Sequence, residues 1–138
     1  MTPERIAFVL TALAAVVVVL TRVRLTTGDE EAAGHLDIPR GVVNVHTIFG
    51  VLALLLWSTF LFSGVGKAVG YVGLLCWWVT TAAGLLILLR WMPARGRHAS
   101  GPAADSWGEG PGLSVLAHLG MLVGSIVWTY LLVAGKLS

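Results

Sequence analysis

Four apolar runs constrain this chain more than any other feature of its sequence. They cover residues 4–24, 42–63, 68–90 and 113–134. A helix needs about 20 apolar residues to cross the hydrocarbon core of a bilayer, which is roughly 30 Å thick. The sequence therefore predicts an all-α fold, in which residues 1–138 form one up-down bundle of four transmembrane helices embedded in the lipid bilayer.

The composition excludes a water-soluble domain. Of the 138 residues, 57% are hydrophobic and only 12% are charged, which is far from the average for globular domains. The net charge of +2 is too small to indicate nucleic-acid binding. The only cysteine, Cys76, lies in an apolar run, so one chain can form neither a disulfide nor a CxxC motif.

The first run predicts a retained span. Thr2 is a candidate N-cap and Pro3 a favourable first helical residue. The alternative is a cleaved signal peptide, but the run is preceded by the pair Glu4 and Arg5, and no A-x-A site follows it.

The basic residues predict an orientation. Loops 25–40 and 91–112 share one side of the membrane, and that side carries six arginines against three basic residues on the other. The positive-inside rule then places both loops in the cytoplasm and both termini outside. We expect this arrangement in a bacterial plasma membrane, with the mirror orientation as the alternative. The two basic sets are Arg22, Arg24, Arg40, Arg90, Arg95 and Arg97, and Arg5, Lys67 and Lys136.

Small residues recur along the third run at helical spacing. Such a stripe is typical of a helix-packing face in membranes, where close backbone approach holds helices together. The stripe is Gly66, Gly70, Gly73, Thr80 and Gly84, with Trp77 on the same seam. The other tryptophans are interpreted as interface anchors or bundle fillers, and they are Trp57, Trp78, Trp91, Trp107 and Trp128.

Two histidines lie inside predicted spans. His46 is four residues into the second run and His118 five into the fourth. Because these spans run in the same direction, both imidazoles lie at a similar depth, about 6 to 8 Å below one membrane face. An ionisable side chain inside a membrane is a functional candidate by default.

Glycines near both histidines indicate room for a flat macrocycle. Gly50 follows His46 by one turn, and Gly120 and Gly124 follow His118. Two imidazoles from different helices are a common pair of axial ligands for haem iron. Second-nitrogen partners, which such ligands need, would come from Ser114, Thr47 or Asn44, with a polar line continuing through Ser125 and Thr129. Cations for the propionates would come from Arg40, Arg90 or Arg95.

The segments VHTIFG around His46 and LAHLGMLVG around His118 resemble the four-helix membrane cytochrome b group, which includes cytochrome b561 and the haem-anchoring subunits of respiratory complexes. The resemblance implies one b-type haem with His46 and His118 as its metal ligands. It also implies electron transfer between a quinone and a larger respiratory or oxidoreductase partner. Cytochrome b561 proteins hold two haems on four histidines, whereas the first and third runs here contain no histidine.

Other interpretations of the histidines stay open. They could pair structurally across helices, line a site for a quinone head group or a proton relay, or bind a transition metal. With histidines that are structural or line a quinone site, the chain would be a non-enzymatic accessory or assembly subunit. We expect it to assemble with a larger membrane complex or with further copies of itself. A small transporter is a third class of function. His35 and His98 are interpreted as solvated loop residues. No GxSxG, HExxH or P-loop motif is present, so we expect no catalysis by the chain alone.

Overall fold

Four α-helices form the described part of the chain. The computed structural model describes residues 1–27, 39–95 and 111–137, and in 21–27, 90–95 and 111–114 it describes the helical backbone alone. No strand occurs within these ranges, which confirms the all-α prediction. The helices are α1 (Pro3–Thr27), α2 (Arg40–Ser63), α3 (Lys67–Arg95) and α4 (Pro111–Val133).

Each helix covers one predicted run, with small differences at the ends. The largest difference is at the end of α3, which continues to Arg95 although the apolar run ends at residue 90. Backbone hydrogen bonding continues past the apolar segment, because helix formation depends on the main chain and not on contact with lipid. The predicted loop 91–112 is therefore partly helical at both ends. Residues 28–38 and 96–110, which include His35, His98 and Trp107, lie outside the described residues.

All four helices are long and apolar enough to cross a membrane. Each one also exposes large apolar side chains on the outside of the bundle. Leu13, Leu55, Leu75 and Leu116 are 58%, 61%, 63% and 60% exposed. A surface with this composition is consistent with a multi-pass membrane protein, since lipid solvates such side chains and water does not.

The helices pack in a closed order around the bundle. Among the described residues, the contacting pairs are α1 with α2, α2 with α3, α3 with α4, and α1 with α4. Helices α2 and α4 therefore lie across the bundle from each other. Early residues of α2 contact late residues of α3, and the observed neighbours are His46 with Gly84, Gly50 with Thr80, Trp57 with Gly73, and Phe60 with Gly70.

Two glycines of α3 let it approach α2 closely. A Cβ atom on Gly73 would lie 2.9 Å from the backbone nitrogen of Trp57, and one on Gly70 would lie 3.0 Å from the ring of Phe60. The predicted small-residue packing face is present at these two positions. Gly66 does not belong to it, because a Cβ there would meet nothing within 4 Å.

A three-residue turn joins α2 to α3. Gly64 ends α2 in the left-handed conformation, with φ 61° and ψ 20°, which glycine adopts without steric cost. Helix α3 then begins at Lys67. The short turn keeps the two helices adjacent and fixes which of their residues meet.

Three tryptophans fill one half of the core. Trp57, Trp77 and Trp128 are fully buried and come from α2, α3 and α4. The ring of Trp128 lies 5.6 Å from that of Trp57 and 5.0 Å from that of Trp77. The Trp57 indole donates a hydrogen bond of 3.1 Å to the hydroxyl of Thr11 on α1. Trp57 and Trp128 are thus bundle fillers, and this cluster, with Phe60, is called the tryptophan half below.

Candidate functional site

His46 and His118 meet in the interior of the bundle. Their ring centroids are 6.3 Å apart, and the ring planes are inclined by 44°. Each residue is only 8% exposed. Two imidazoles that are 72 positions apart in the sequence and lie on opposite helices are therefore brought to one place, at the end of the bundle away from the tryptophan half.

The helical pattern of α2 and α4 explains why both imidazoles point inward. On α2, His46 lies on the buried stripe that continues through Gly50, Ala53, Trp57 and Phe60. These positions recur at steps of three and four, so they share one face of the helix.

The same pattern holds on α4. His118 is followed at the same steps by the buried residues Met121, Ser125, Trp128 and Leu132. Apolar packing further along each stripe fixes the rotation of its helix, and that rotation turns the histidine towards the bundle axis.

Gly84 of α3 is the third residue at this place. A Cβ atom there would lie 2.9 Å from Nε2 of His118 and 3.1 Å from Nε2 of His46, with Cδ2 of His118 at 2.7 Å. Real Cβ atoms avoid contacts this short. Only glycine lets α3 pass beside both imidazoles in this arrangement.

The two predicted site glycines are placed differently from each other. Gly50 is buried and packs against α3 and α1 one turn from His46, where a Cβ would make ordinary contacts of 3.4 and 3.7 Å with the Thr80 and Val18 side chains. Gly120 is exposed, and a Cβ there would meet nothing within 4 Å. The structure does not bring Gly120 to the rings, because a residue two positions after His118 lies on the other side of the helix.

Most of the predicted hydrogen-bond partners of the imidazoles contact other groups. The Thr47 hydroxyl donates to the Val43 carbonyl at 3.0 Å, and Asn44 is exposed. The polar line on α4 joins α3 instead: Ser125 and Thr81 share a hydrogen bond of 3.1 Å, and Trp78 donates to Thr129 at 3.0 Å.

The remaining predicted partners are at the edge of what the structure describes. Arg40 begins α2 and is exposed. The side chains of Ser114, Arg90 and Arg95 lie outside the described residues, as does that of Trp91. Their predicted roles as imidazole or propionate partners therefore stay predictions.

The donors that the described residues bring to this place are the imidazole nitrogens of His46 and His118. Within residues 1–27, 39–95 and 111–137 there is no group of three or more His, Cys, Asp or Glu side chains that could hold a metal ion. A metal ion bound by two histidines needs further ligands, and haem iron takes four of them from its macrocycle. Two imidazoles are the number of protein ligands that a haem iron would require.

The ring centres lie about as far apart as those of two imidazoles that share one metal ion. A metal ion bound to both Nε2 atoms by bonds of about 2.0 to 2.1 Å would hold those nitrogens about 4 Å apart. Each ring centre lies about one ring radius further out, so the two centres would be about 6 Å apart. The observed separation of the centroids is 6.3 Å.

The space beside α3 does not suit the macrocycle. The Cβ position of Gly84 is almost equidistant from the two nitrogens, at 2.9 and 3.1 Å. It is therefore nearer to their midpoint, where iron would lie, than to either nitrogen. A porphyrin extends further than this from its iron in every direction within its plane. With α3 in its present place, the imidazoles fit the iron of a haem and the backbone of Gly84 obstructs the ring.

Comparison with known proteins gives no relative from which residue roles could be transferred. No protein-family model, no curated protein and no solved structure matches the chain. The assignment of His46, His118 and Gly84 to one site rests on their geometry.

Gly84 was missed as a site residue in the sequence, although a signal for it exists. It was assigned to the packing stripe of α3. Counting outward from the turn at residues 64–66 in an antiparallel register would have placed Gly84 opposite His46. The register of a helical hairpin is thus more informative here than the sequence neighbours of each histidine.

Proposed function

We propose that this chain is a small integral membrane protein that holds one b-type haem between His46 and His118. The observation that carries the proposal is the pair of buried imidazoles on opposite helices, with ring centroids 6.3 Å apart. An ionisable side chain inside a membrane span is a functional candidate by default. A shared iron satisfies one nitrogen of each ring.

The proposal includes an up-down transmembrane topology. Contacts between α1 and α2 support it, since Thr11 meets Trp57 near the start of α1 and Val18 meets Gly50 further along. Residue numbers rise on one helix as they fall on the other, as they also do between α2 and α3. Combined with the arginine bias, this favours cytoplasmic long loops and outside termini in a bacterial plasma membrane.

We further propose that the chain acts in electron transfer with a larger respiratory or oxidoreductase partner, with a quinone as a possible second reactant. Among the described residues, His46 and His118 would hold the haem. A haem held by these two residues would supply one-electron redox chemistry. Catalysis is assigned to the partner and not to this chain.

An absorption spectrum tests the haem directly. Protein expressed with sufficient haem and purified in detergent should show a Soret band and the sharp reduced bands of a low-spin b-type haem. His46→Ala and His118→Ala should each abolish that low-spin spectrum. The matched controls are Val45→Ala and Leu119→Ala, which alter neighbouring side chains that are 39% and 50% exposed on the outside of the bundle. Folded wild-type protein without colour would refute the proposal.

The position of Gly84 favours a second candidate, in which the histidines pin α2 and α4 together and the chain is an accessory or assembly subunit. In this case the Gly84 backbone simply fills the space beside the rings. His46→Gln and His118→Asn should then leave folding and partner association nearly unchanged, and the purified protein should be colourless. Co-purification of the partner with each variant measures this.

A further inference from the structure

We infer that His46 and His118, beside Gly84, form a binding site for one monovalent copper ion, Cu(I), in the arrangement that the structure describes. Such a site uses the two imidazole nitrogens without a macrocycle, so the inference does not rest on the proposed haem. It begins from the disagreement at Gly84, where two nitrogens converge but the backbone of α3 obstructs a porphyrin.

Both Nε2 atoms converge on the place where Gly84 lacks a side chain. The Cβ position of Gly84 lies 2.9 Å from Nε2 of His118 and 3.1 Å from Nε2 of His46. An ion midway between the nitrogens, with bonds of about 2.0 to 2.1 Å to each, would lie about 2 Å from that Cβ position. A methyl group there would collide with the ion, whereas the hydrogen of glycine is short enough to clear it. The place therefore admits a bare ion.

The distance between the rings selects the coordination geometry. The centre of a ligating imidazole lies about 3 Å from the metal, which is the bond length plus about one ring radius. Two imidazoles in line with the metal would have centres about 6 Å apart, and two at the tetrahedral angle would have centres about 5 Å apart. The observed distance is 6.3 Å. The two rings are therefore spaced for an ion that holds its two ligands in line.

Copper(I) is the exception to the need for further ligands. It is a d¹⁰ ion that forms stable complexes with two nitrogen ligands in line, and imidazole is a suitable copper ligand. Zn²⁺ takes four ligands in a tetrahedron, and residues 1–27, 39–95 and 111–137 hold no group of three or more His, Cys, Asp or Glu side chains to supply them. Both the number and the angle of the donors favour Cu(I).

The low charge of Cu(I) also suits its surroundings. Each histidine is only 8% exposed, and the one carboxylate side chain in the described ranges is that of Glu4, which is exposed at the start of α1. The Born cost of burying an ion rises with the square of its charge, so a divalent ion costs about four times as much as Cu(I). Each neutral imidazole offers the lone pair of Nε2 while Nδ1 keeps its proton, and the complex carries a single positive charge.

A Cu(I) titration of the full chain in detergent tests the inference. Ascorbate keeps the copper reduced under anaerobic conditions, and bicinchoninate competes for it and reports the free ion. We expect one Cu(I) per chain in the wild type and none in His46→Ala or His118→Ala. The matched controls, Val45→Ala and Leu119→Ala, alter exposed neighbours and should bind as the wild type does. Unchanged copper binding in both folded histidine variants overturns the inference.

X-ray absorption at the copper edge tests the geometry. We expect the intense edge feature of two-coordinate Cu(I), with nitrogen neighbours only in the first shell. A spectrum of four-coordinate copper overturns the linear site. Zn²⁺ retained after desalting as well as Cu(I) is retained overturns the assignment of the ion.

A substitution at position 84 gives an independent readout. Gly84→Ala places a methyl group against the ion and should weaken Cu(I) binding about tenfold or more. Gly120→Ala on α4 is the matched control, because a Cβ there meets nothing within 4 Å. Unchanged Cu(I) affinity in folded Gly84→Ala contradicts the position assigned to the ion.

The same preparations separate this inference from the proposed haem. Protein that binds Cu(I) through both histidines and shows no Soret band after haem-sufficient expression supports the inference and refutes the proposed function. Protein that shows the low-spin haem spectrum but takes up no Cu(I) in its haem-free form overturns the inference and leaves the proposed function intact.

Discussion

The tryptophan half of this bundle and its histidine end, where His46 and His118 lie beside Gly84, are built by opposite means. In the first, three fully buried indoles and Phe60 fill the interior, and α2 and α3 touch through Gly73. In the second, two imidazoles face each other beside a residue with no side chain at all, Gly84. Large buried side chains fill the tryptophan half, whereas the histidine end depends on the missing side chain of Gly84.

This difference separates stability from function along the bundle axis. Loss of packed volume in a close-packed region leaves a cavity and costs free energy. At the end of the bundle where His46 and His118 lie, the positions of the side chains would decide which group can bind under the proposed function. We therefore expect substitutions in the tryptophan half to change mainly the free energy of unfolding, and substitutions at the histidine end to change mainly ligand binding.

The largest loss of stability is expected from Trp57→Ala. Its ring is fully buried against Trp128 and Phe60, and its indole donates to Thr11. Truncation of such a side chain costs about 3 to 5 kcal/mol. Unfolding by denaturing detergent, followed by circular dichroism, measures it. Leu55→Ala on the exposed face of α2 is the control, and an equal loss in both variants would break the comparison.

A smaller loss is expected from Gly73→Ala. The new methyl group would lie 2.9 Å from the Trp57 nitrogen, so α2 and α3 must separate, at a cost of about 1 to 3 kcal/mol. Gly120→Ala adds the same methyl group in open space, where better helix propensity stabilises by up to about 1 kcal/mol. Opposite signs in the same unfolding assay are the expected result. Equal effects would show that the approach at Gly73 does not limit packing.

Substitution of His46 or His118 should lower the free energy of unfolding less than substitution of Trp57 or Gly73. In haem-free protein, His46→Ala is expected to cost about 1 kcal/mol or less, which is the range for polar contacts between membrane helices. The same substitution should abolish the low-spin haem spectrum. If the unfolding free energy falls as far as in Trp57→Ala, the histidine end is a structural element and the proposed division is wrong.

The smallest effect is expected for the bond between Thr81 and Ser125, which joins α3 to α4 between the two halves at 3.1 Å. Thr81→Val, Ser125→Ala and the double variant form a thermodynamic cycle. Buried hydrogen bonds of this kind in a membrane bundle average about 0.6 kcal/mol. A coupling energy above that of typical membrane pairs would sharpen the comparison, since α3 would then be held more firmly just below Gly84.

Much of the fold could be predicted from the sequence, because bilayer thickness alone fixes the length of a spanning helix. The four apolar runs correspond to the four observed helices. The short gap between the second and third runs corresponds to the turn at residues 64–66. The helix ends were less predictable: α3 extends to Arg95 because helix formation depends on backbone hydrogen bonding and does not stop where the apolar segment ends. The glycine packing face was predicted as well, and the prediction was wrong at Gly66, which lies in the turn.

The candidate site could be predicted only in part. The meeting of His46 and His118 followed from their equal depth in two spans that run in the same direction. Gly120 was chosen for its nearness in sequence, whereas helical geometry turns it away from His118. Gly84 was missed because contact across helices depends on register, and register is set by the hairpin turn and not by the residues around each histidine.

The length of that turn sets the rotation and the axial position of α3 relative to α2. Residues 64–66 lie between α2 and α3, and one added residue there would rotate α3 by about 100° and shift it by about 1.5 Å relative to α2. Gly73 and Gly84 are eleven positions apart, which is close to three full turns of about 3.6 residues, so both would leave α2 together. The length of this one turn therefore sets two positions together: Gly73 against Trp57, and Gly84 beside His46 and His118.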